Sequence, residues 1–376
     1  MKESGKGPAL LRLNNEKRLL TALRQQRITT RQDIAGLLAL SKNTVSLIID
    51  DLIAREWVQE LGPLQVSAAG RPKIGIALCA GKLKAAGVMI ERQRMHVTVT
   101  DYLSEVLEES SWQTDTRDPA RVLSELQTVC QQLQQRHPEL LGIGLGFPGI
   151  VDPAAGYLHI SSHLGWRDVD IQAALHNLTG TPLHIMNYVK AAALLAQTPQ
   201  KVAEGASCFY LRIGEGIGGA LLLGRDIFTG SSWTAGEAGH LTVADGPACS
   251  CGKYGCLEAL ISVPAIQQQL AAVEQGLSWD TREQSPESTD KVMTRAGHYL
   301  GKALSQIMLL LNPSTLVIDS PWNSNAAFCT AVKETAQAAT LAFTFNHTQM
   351  IFLSGPLSPA KGLALAVIER NEVSPL

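Results

Sequence analysis

The chain reads as an α/β protein with a small, mostly helical head at its N-terminal end. Three observations predict this. From about residue 82 the sequence alternates short apolar runs with amphipathic helical stretches, the texture of packed α/β layers. Before that point, apolar residues recur at helical spacing through three consecutive segments. Charge is divided in the same way. Residues 1–80 hold 12 Lys and Arg against 7 Asp and Glu, whereas the remainder holds 20 against 27. A basic head on an acidic body points to a nucleic-acid partner at the N-terminal end.

In the head, Asn14 or Asn15 is expected to cap a first helix through EKRLLTALRQQ, with Leu19, Leu20 and Leu23 on one face. Thr30 followed by Asp33 is a capping-box-like start for a second helix, with Arg31 at its opening and Ile34, Ala35 and Leu38 inward. Ser41 caps a third, SKNTVSLIIDDLIARE. There Val45, Ile48, Ile49, Leu52 and Ile53 form a single buried stripe. Lys42, Asn43, Thr44 and Ser46 are left at the exposed N-terminal end, where the second helix of a helix-turn-helix meets base edges. The following WVQELG and GRPKIGIAL read as two short strands joined by a Gly/Ala/Ser loop, which makes the motif winged. Arg71 and Lys73 flank Pro72 in that wing and are placed to touch phosphate or enter a minor groove. The expected DNA-binding set is therefore Arg31, Ser41, Lys42, Asn43, Thr44, Ser46, Arg71 and Lys73. A helical bundle used for protein contact is the alternative. The cap, the polar helix end and the basic wing together favour DNA.

In the body, LKAAGVMIER and MHVTVTDYL predict a strand pair turning at Arg92–Arg94. Residues 119–136 form an amphipathic helix, LLGIGLGFPGIVD a buried strand ending in a Gly-Pro loop, PLHIMN a short strand and YVKAAALLAQ a helix. CFYLRIGEGIGGALLLG is two strands joined by a glycine turn. Residues 262–311 are rich in helix, LVID and MIFLSG are short strands, and SPAKGLALAVIER is a last helix with Ser358 as its cap. Gly214, Gly216 and Gly219 match the spacing of a dinucleotide fingerprint. The run after them is strand-like rather than a helix start, so a glycine hairpin is expected instead.

His240, Cys249, Cys251 and Cys256 lie within seventeen positions, in GHLTVADGPACSCGKYGC. Three thiols and one imidazole suit one closed, tetrahedral structural Zn²⁺ per chain, with Gly252 and Gly255 permitting the tight turns between them. The other cysteines, Cys79, Cys130, Cys208 and Cys329, are scattered in apolar stretches and are expected to be reduced. No run of eighteen apolar residues and no secretory signal pattern occurs, so a cytoplasmic protein without membrane insertion is expected.

These residues resemble the ROK family of repressors, open reading frames and kinases. The resemblance rests on the Gly239–Glu258 thiol segment, FPGIVD (147–152), LGW (164–166), the GEGIGG turn, Glu237-x-Gly239-His240 and LNPSTLVI (311–318). With the head, it points to the branch of the xylose-, N-acetylglucosamine- and glucose-responsive repressors. It implies a two-lobed, actin-like or hexokinase-like fold: a head at 1–81, a first lobe at 82–194 plus 363–376, and a second lobe at 195–362 with the zinc loop and oligomerisation helices. It also implies a sugar or sugar phosphate bound by Asn187, Glu237, His240 and Glu258. Operator DNA, a homodimer or homotetramer, and a sugar-transport protein are the implied partners. Trp166 is expected either to give the sugar an apolar face or to lie in the core.

The departures from the family argue against phosphoryl transfer. Tyr188, in Asn187-Tyr188-Val189-Lys190, stands where the kinases carry their general-base Asp, and a phenol is a poor base at neutral pH. The glycine-rich phosphate loop is replaced by Ile90-Glu91-Arg92-Gln93-Arg94, and a later glycine cluster by Asp319-Ser320-Pro321. The resemblance therefore implies a regulator with no catalytic residue; a ROK sugar kinase with a fused DNA-binding domain, or a regulator controlled by a protein partner, is the alternative.

Overall fold

The computed structural model describes residues 6–64, 73–178, 180–196 and 206–372. The head contains α1 (Lys6–Gln26), β1 (Ile28–Thr30), α2 (Arg31–Leu37), α3 (Lys42–Ala54), β2 (Val58–Pro63) and β3 (Ile74–Leu78). Its sheet is antiparallel in the order β1-β3-β2. The expected stripe of α3 is inward: Val45, Ile48, Ile49 and Leu52 are buried. Ser41 Oγ accepts the Thr44 amide at 3.0 Å, as a helix cap should.

One expectation for the head needs correction, and two details go beyond what was expected. The first helix starts at Lys6, so Asn14 and Asn15 lie inside it rather than capping it. Pro8 occupies the first turn, where its missing N–H costs no bond, and an interior Asn costs less than about 1 kcal/mol relative to Ala. Asp33 does not close a full capping box. Thr30 Oγ1 accepts the Asp33 amide at 3.2 Å, but the Asp33 carboxylate meets the Thr30 hydroxyl at 2.7 Å. The reciprocal bond to the cap's own amide is made by the longer Glu or Gln. Finally, β1 adds an unexpected third strand, too short for its alternation to be read.

The first lobe runs β4 (Lys84–Glu91), β5 (Arg94–Asp101), β6 (Val106–Gln113), α4 (Pro119–Arg136) and β7 (Leu140–Phe147). A small sheet of β8 (Ile150–Asp152), β9 (Tyr157–Ser161) and β10 (Trp166–Asp170) follows, then α5 (Ile171–Ala174), β11 (Leu183–Asn187) and α6 (Tyr188–Ala196). The second lobe holds β12 (Ser207–Ile213), β13 (Ile217–Leu223), β14 (Asp226–Phe228), α7 (Leu257–Ile261), α8 (Val263–Val273) and α9 (Pro286–Leu311). It continues with β15 (Thr315–Asp319), α10 (Ala326–Ala339), α11 (Ala342–His347) and β16 (Gln349–Phe352), and α12 (Pro359–Glu372) ends the described chain.

The two large sheets repeat one another. In order they are β11-β7-β4-β5-β6 and β14-β13-β12-β15-β16. Each begins with an antiparallel meander of three strands and extends by two parallel strands from the first. The glycine turn at 214–216 is a hairpin between β12 and β13, and no helix starts after it.

α12 lies directly on the first sheet. A Cβ on Gly87 would fall 1.9 Å from the Ala360 carbonyl, and one on Gly144 would fall 2.6 Å from the Leu363 carbonyl. Only glycine permits backbone to meet backbone at these crossings. The other face of α12 enters the core of the head: Ala364, Val367 and Ile368 cluster with Leu19, Leu23 and Leu52. The helix starts at Pro359, so the expected lobe boundary at 363 falls inside it.

Candidate ligand cleft, metal centre and DNA-facing helix end

A cavity of about 930 Å³ opens between the lobes. The β4–β5 turn and the start of α6 line one wall; the β12–β13 turn, Glu237, His240 and Glu258 line the other. The repeated sheets explain this placement. Each sheet contributes its first hairpin turn, at 92–93 and 214–216, to the same space.

The thiol loop closes on itself beside the cavity. The ligand atoms of His240, Cys249, Cys251 and Cys256 all lie within 4.8 Å of one another. Cys249 Sγ is 3.6 Å from His240 Nδ1, and Cys251 Sγ is 3.7 Å from Cys256 Sγ. A tetrahedron with zinc–sulfur bonds near 2.3 Å and a zinc–nitrogen bond near 2.0 Å has edges of about 3.8 Å between sulfurs and about 3.5 Å from sulfur to nitrogen. The donor set and spacing therefore fit a metal ion of that size. Gly255 makes the closure possible: at φ +67° it approaches Ala244 so closely that a Cβ would lie 1.7 Å from its carbonyl oxygen. Burial and the neighbouring thiols push the Cys256 thiol up to about 12, a crowding that a bound cation relieves. Nδ1 is the imidazole nitrogen on the thiol side, which leaves Nε2 for the cleft that His240 also lines.

The four expected effector residues all line the cleft, with different freedom to act. Glu258 opens α7; its carboxylate accepts the Ile217 amide at 2.9 Å and the Ser250 hydroxyl at 3.5 Å. Burial raises the pKa of Glu237, against the opposing pull of His240 and Lys190. Asn187 is largely engaged. Its Oδ1 accepts the Val189 and Lys190 amides at 2.8 and 3.1 Å, and its Nδ2 donates to the Gly149 carbonyl at 2.8 Å. Asn187 caps α6 and holds the Pro-Gly loop. Trp166 is a core residue, 1 % exposed, whose indole N–H donates to the Thr116 carbonyl.

The side chains at the positions that depart from the kinase pattern are mostly engaged within the protein. Tyr188 faces the cleft, and burial, with Glu91, Glu215 and Glu258 nearby, pushes its phenol up to about 12, so it holds its proton. Glu91 bonds His96 at 2.9 Å. Asp319 is buried and accepts from Tyr210 at 2.5 Å, Arg212 at 3.0 Å and the Leu357 amide at 3.2 Å. Ser320 caps the turn that carries Trp322 into the second-lobe core.

Sequence reasoning assigned no role to several residues in and around the cleft. Lys190 is 5 % exposed; it donates to the Trp233 carbonyl at 2.5 Å, and burial lowers its pKa. Trp233, held at φ +60°, stacks on His159 of β9 with ring centres 4.9 Å apart. This contact joins a second-lobe loop to the first lobe. His163 also spans the cleft: a Cβ on Gly216 would lie 2.5 Å from its Nε2.

At the head, Lys42 and Asn43 are exposed, Thr44 and Ser46 are half-buried, and the Ser41 hydroxyl serves as the cap. Arg31 is bound to Asp50 at 2.7 Å and Glu60 at 2.9 Å, so it braces α2 against α3 and β2. Lys73 pairs with Asp33 at 2.9 Å. Arg71 lies outside the described residues.

Comparison with known proteins agrees with this arrangement. The chain is 26% identical over 333 residues to the xylose repressor of Caldicellulosiruptor bescii, covering 82% of this chain and 83% of the relative. It is 26% identical over 310 residues to the DNA-binding transcriptional dual regulator NagC of Escherichia coli, covering 77% and 76%. Among solved structures, a ROK family transcriptional regulator homologous to the E. coli MLC protein superposes with a TM-score of 0.81 at 20% identity, over 96% of this chain and 98% of that one. A ROK family glucokinase from Streptomyces griseus, in complex with glucose and AMPPNP, gives 0.64 at 18% identity over 75% and 98%. The model of the ROK family matches residues 85–367, the whole span of the two repeated sheets; the chain belongs to the ROK family.

Proposed function

We propose that this chain is a sugar-responsive transcriptional repressor, which binds operator DNA through a winged helix-turn-helix head and senses a sugar in the cleft without phosphorylating it. One observation carries the reading: α12 connects the cleft to the head. Arg212 lines the cleft and donates to the Leu357 carbonyl, just before α12. At the far end, Arg24 of α1 forms a two-bond pair with Glu372, both bonds 2.7 Å. Glu369 lies between Arg24, at 3.6 Å, and Arg225 of the β13–β14 turn. Ligand that favours one arrangement of the lobes thereby shifts the head, provided it binds that arrangement better than the other.

Relatives named as repressors of xylose and N-acetylglucosamine systems support the same assignment. A structural Zn²⁺ held by His240, Cys249, Cys251 and Cys256 would shape the wall that carries Glu237 and Glu258. Two heads are needed to read a palindromic operator, so the working form is a homo-oligomer. Among the described residues no helix is long and apolar enough to cross a membrane.

Footprinting of the purified protein on its own upstream DNA, with and without a panel of sugars, tests the reading. Protection that no sugar relieves would defeat it, as would steady ATP consumption with any hexose. Within the head, Lys42→Ala is expected to weaken binding to all sequences and reduce the salt slope by about 1. Asn43→Ala is expected to relax preference at one operator position by about 1–3 kcal/mol, read by competition binding on single-base operator variants.

A further inference from the structure

The loop that follows β14 is rooted on the second lobe and touches the first. Glycines in left-handed backbone fix its two ends. Gly230 lies at φ +72° and Gly236 at φ +97°, and a Cβ on Gly236 would fall 2.2 Å from the Gly219 carbonyl oxygen of β13. The Ala235 amide donates to the Thr229 carbonyl at 3.1 Å, which closes the loop on itself. Its tip, Trp233, crosses to the first lobe. The indole lies nearly parallel to the His159 ring, with 18° between the planes, and the Tyr157 ring packs on His159 with centres 5.0 Å apart. The Trp233 carbonyl accepts from Lys190 Nζ on α6 at 2.5 Å. Two first-lobe side chains, one from β9 and one from α6, thus hold one residue of the second lobe. Both are committed to it. His159 Nε2 is buried without a hydrogen-bond partner among the described residues, so the ring acts through its face. Lys190 is a buried ammonium whose one side-chain hydrogen bond among the described residues is to Trp233. Trp233 itself is strained: φ +60° is uncommon for a residue with a bulky side chain, and such a backbone persists only where its surroundings hold it.

Resting on the sugar-sensing reading above, we propose that Trp233 is a spring-loaded latch between the lobes: His159 and Lys190 hold it in the closed arrangement, and its strained backbone keeps the open arrangement within reach. Released from the first lobe, Trp233 relaxes to an ordinary φ, so opening recovers part of what the lost contacts gave. The latch connects to the ligand walls on both sides. Thr234 and Glu237, just after the tip, line the cleft. On the other side, Asn187 lines the cleft and accepts the Lys190 amide at 3.1 Å. A ligand that touches Asn187 on one lobe and Glu237 on the other favours the same arrangement as the latch, so the two act together. The latch therefore sets how much ligand is needed to close the cleft, not which ligand enters it. Two arrangements of similar energy are what a ligand of modest affinity can shift.

The first test needs no ligand. Small-angle X-ray scattering of the full-length protein compares the wild type with Trp233→Gly, His159→Ala and His159→Phe at one oligomeric state. Trp233→Gly removes the ring and suits the left-handed backbone, so the loop keeps its fold. Trp233→Gly and His159→Ala are expected to enlarge the radius of gyration. His159→Phe, which keeps a flat ring and gives up only an unpartnered nitrogen, should scatter like the wild type. The second test is release of the protein's own upstream DNA by D-xylose, D-glucose, N-acetyl-D-glucosamine and their phosphate esters. The concentration of the active compound that gives half release should rise about twofold to tenfold in Trp233→Gly and His159→Ala, the range an aromatic pair supplies, and stay near the wild-type value in His159→Phe. An unchanged radius of gyration in both opened variants overturns the latch, whichever compound acts. A lower half-release concentration in them overturns it as well, since the contact would then oppose the ligand. If no compound releases the DNA while both variants still expand, sugar sensing falls and the latch between the lobes stands.

Discussion

Cys256→Ser is expected to release the metal and lower the melting temperature by roughly 10 °C or more. Cys256 is fully buried, and its loop packs against the second-lobe core through Leu257, Leu260 and Ile261. Structural zinc contributes about 10–16 kcal/mol of folding free energy in small metal-dependent peptides. A small part of that, about 4 kcal/mol, corresponds to such a shift at ~2–4 °C per kcal/mol in a domain of this size. Native mass spectrometry should find one zinc per wild-type chain and none in the variant. A chelator should reproduce the loss. Operator binding should outlast the change better than the sugar response, because His240 and Glu237 belong to the disturbed wall whereas α3 lies in the head. A variant with unchanged metal content and melting temperature would show that the thiols are merely neighbours. Ser250→Ala, in the same loop but outside the donor set, is the matched control and should keep the metal.

The second large effect is expected at Arg24. Its side chain is 11 % exposed and that of Glu372 is 3 % exposed. Removing one partner of such a buried pair costs about 3–5 kcal/mol, because the other charge is stranded. Arg24→Ala leaves Glu372 without its ion-pair partner and Glu369 facing Arg225 alone, with the buried Tyr102 beside them. Glu369 already has a raised pKa, chiefly from burial. A raised carboxyl pKa contributes stability that is present below the unfolded value and lost as pH rises through the folded one. The deficit of Arg24→Ala should therefore be smallest at acid pH and grow toward neutrality, measured by urea unfolding across that range. Arg24→Leu with Glu372→Leu should recover most of the stability, since an apolar pair fills the same space without stranded charge. That double variant separates support from signalling. It should bind operator but respond poorly to effector. A full response would mean that the head is moved by another route.

Local periodicity made much of the fold legible. The stripe of α3, the Ser41 cap, the amphipathic α4 and the glycine hairpin at 214–216 all follow from spacing over a few residues. The metal cluster was legible for the same reason, since its donors lie close in sequence. What escaped depends on distant partners. The repeated strand order joins β4 to β7 and β12 to β15 across long segments that no local pattern records. Arg31 looked like a free cation because Asp50 and Glu60 are far from it in sequence. Asn187 lines the cleft as expected, but its second part was hidden: a helix cap and a sugar contact use the same amide, and the backbone of α6 takes its oxygen.

The stack of Trp233 on His159 has a practical consequence. An indole that bridges two lobes reports their separation by its own fluorescence. Trp166 and Trp322 are sealed in the cores and supply a steady background. If the lobes move on effector binding as proposed, the indole loses or gains an imidazole quencher, and its emission should change without any added dye. The protein thus carries its own optical gauge of the cleft, and Trp233→Phe should silence it.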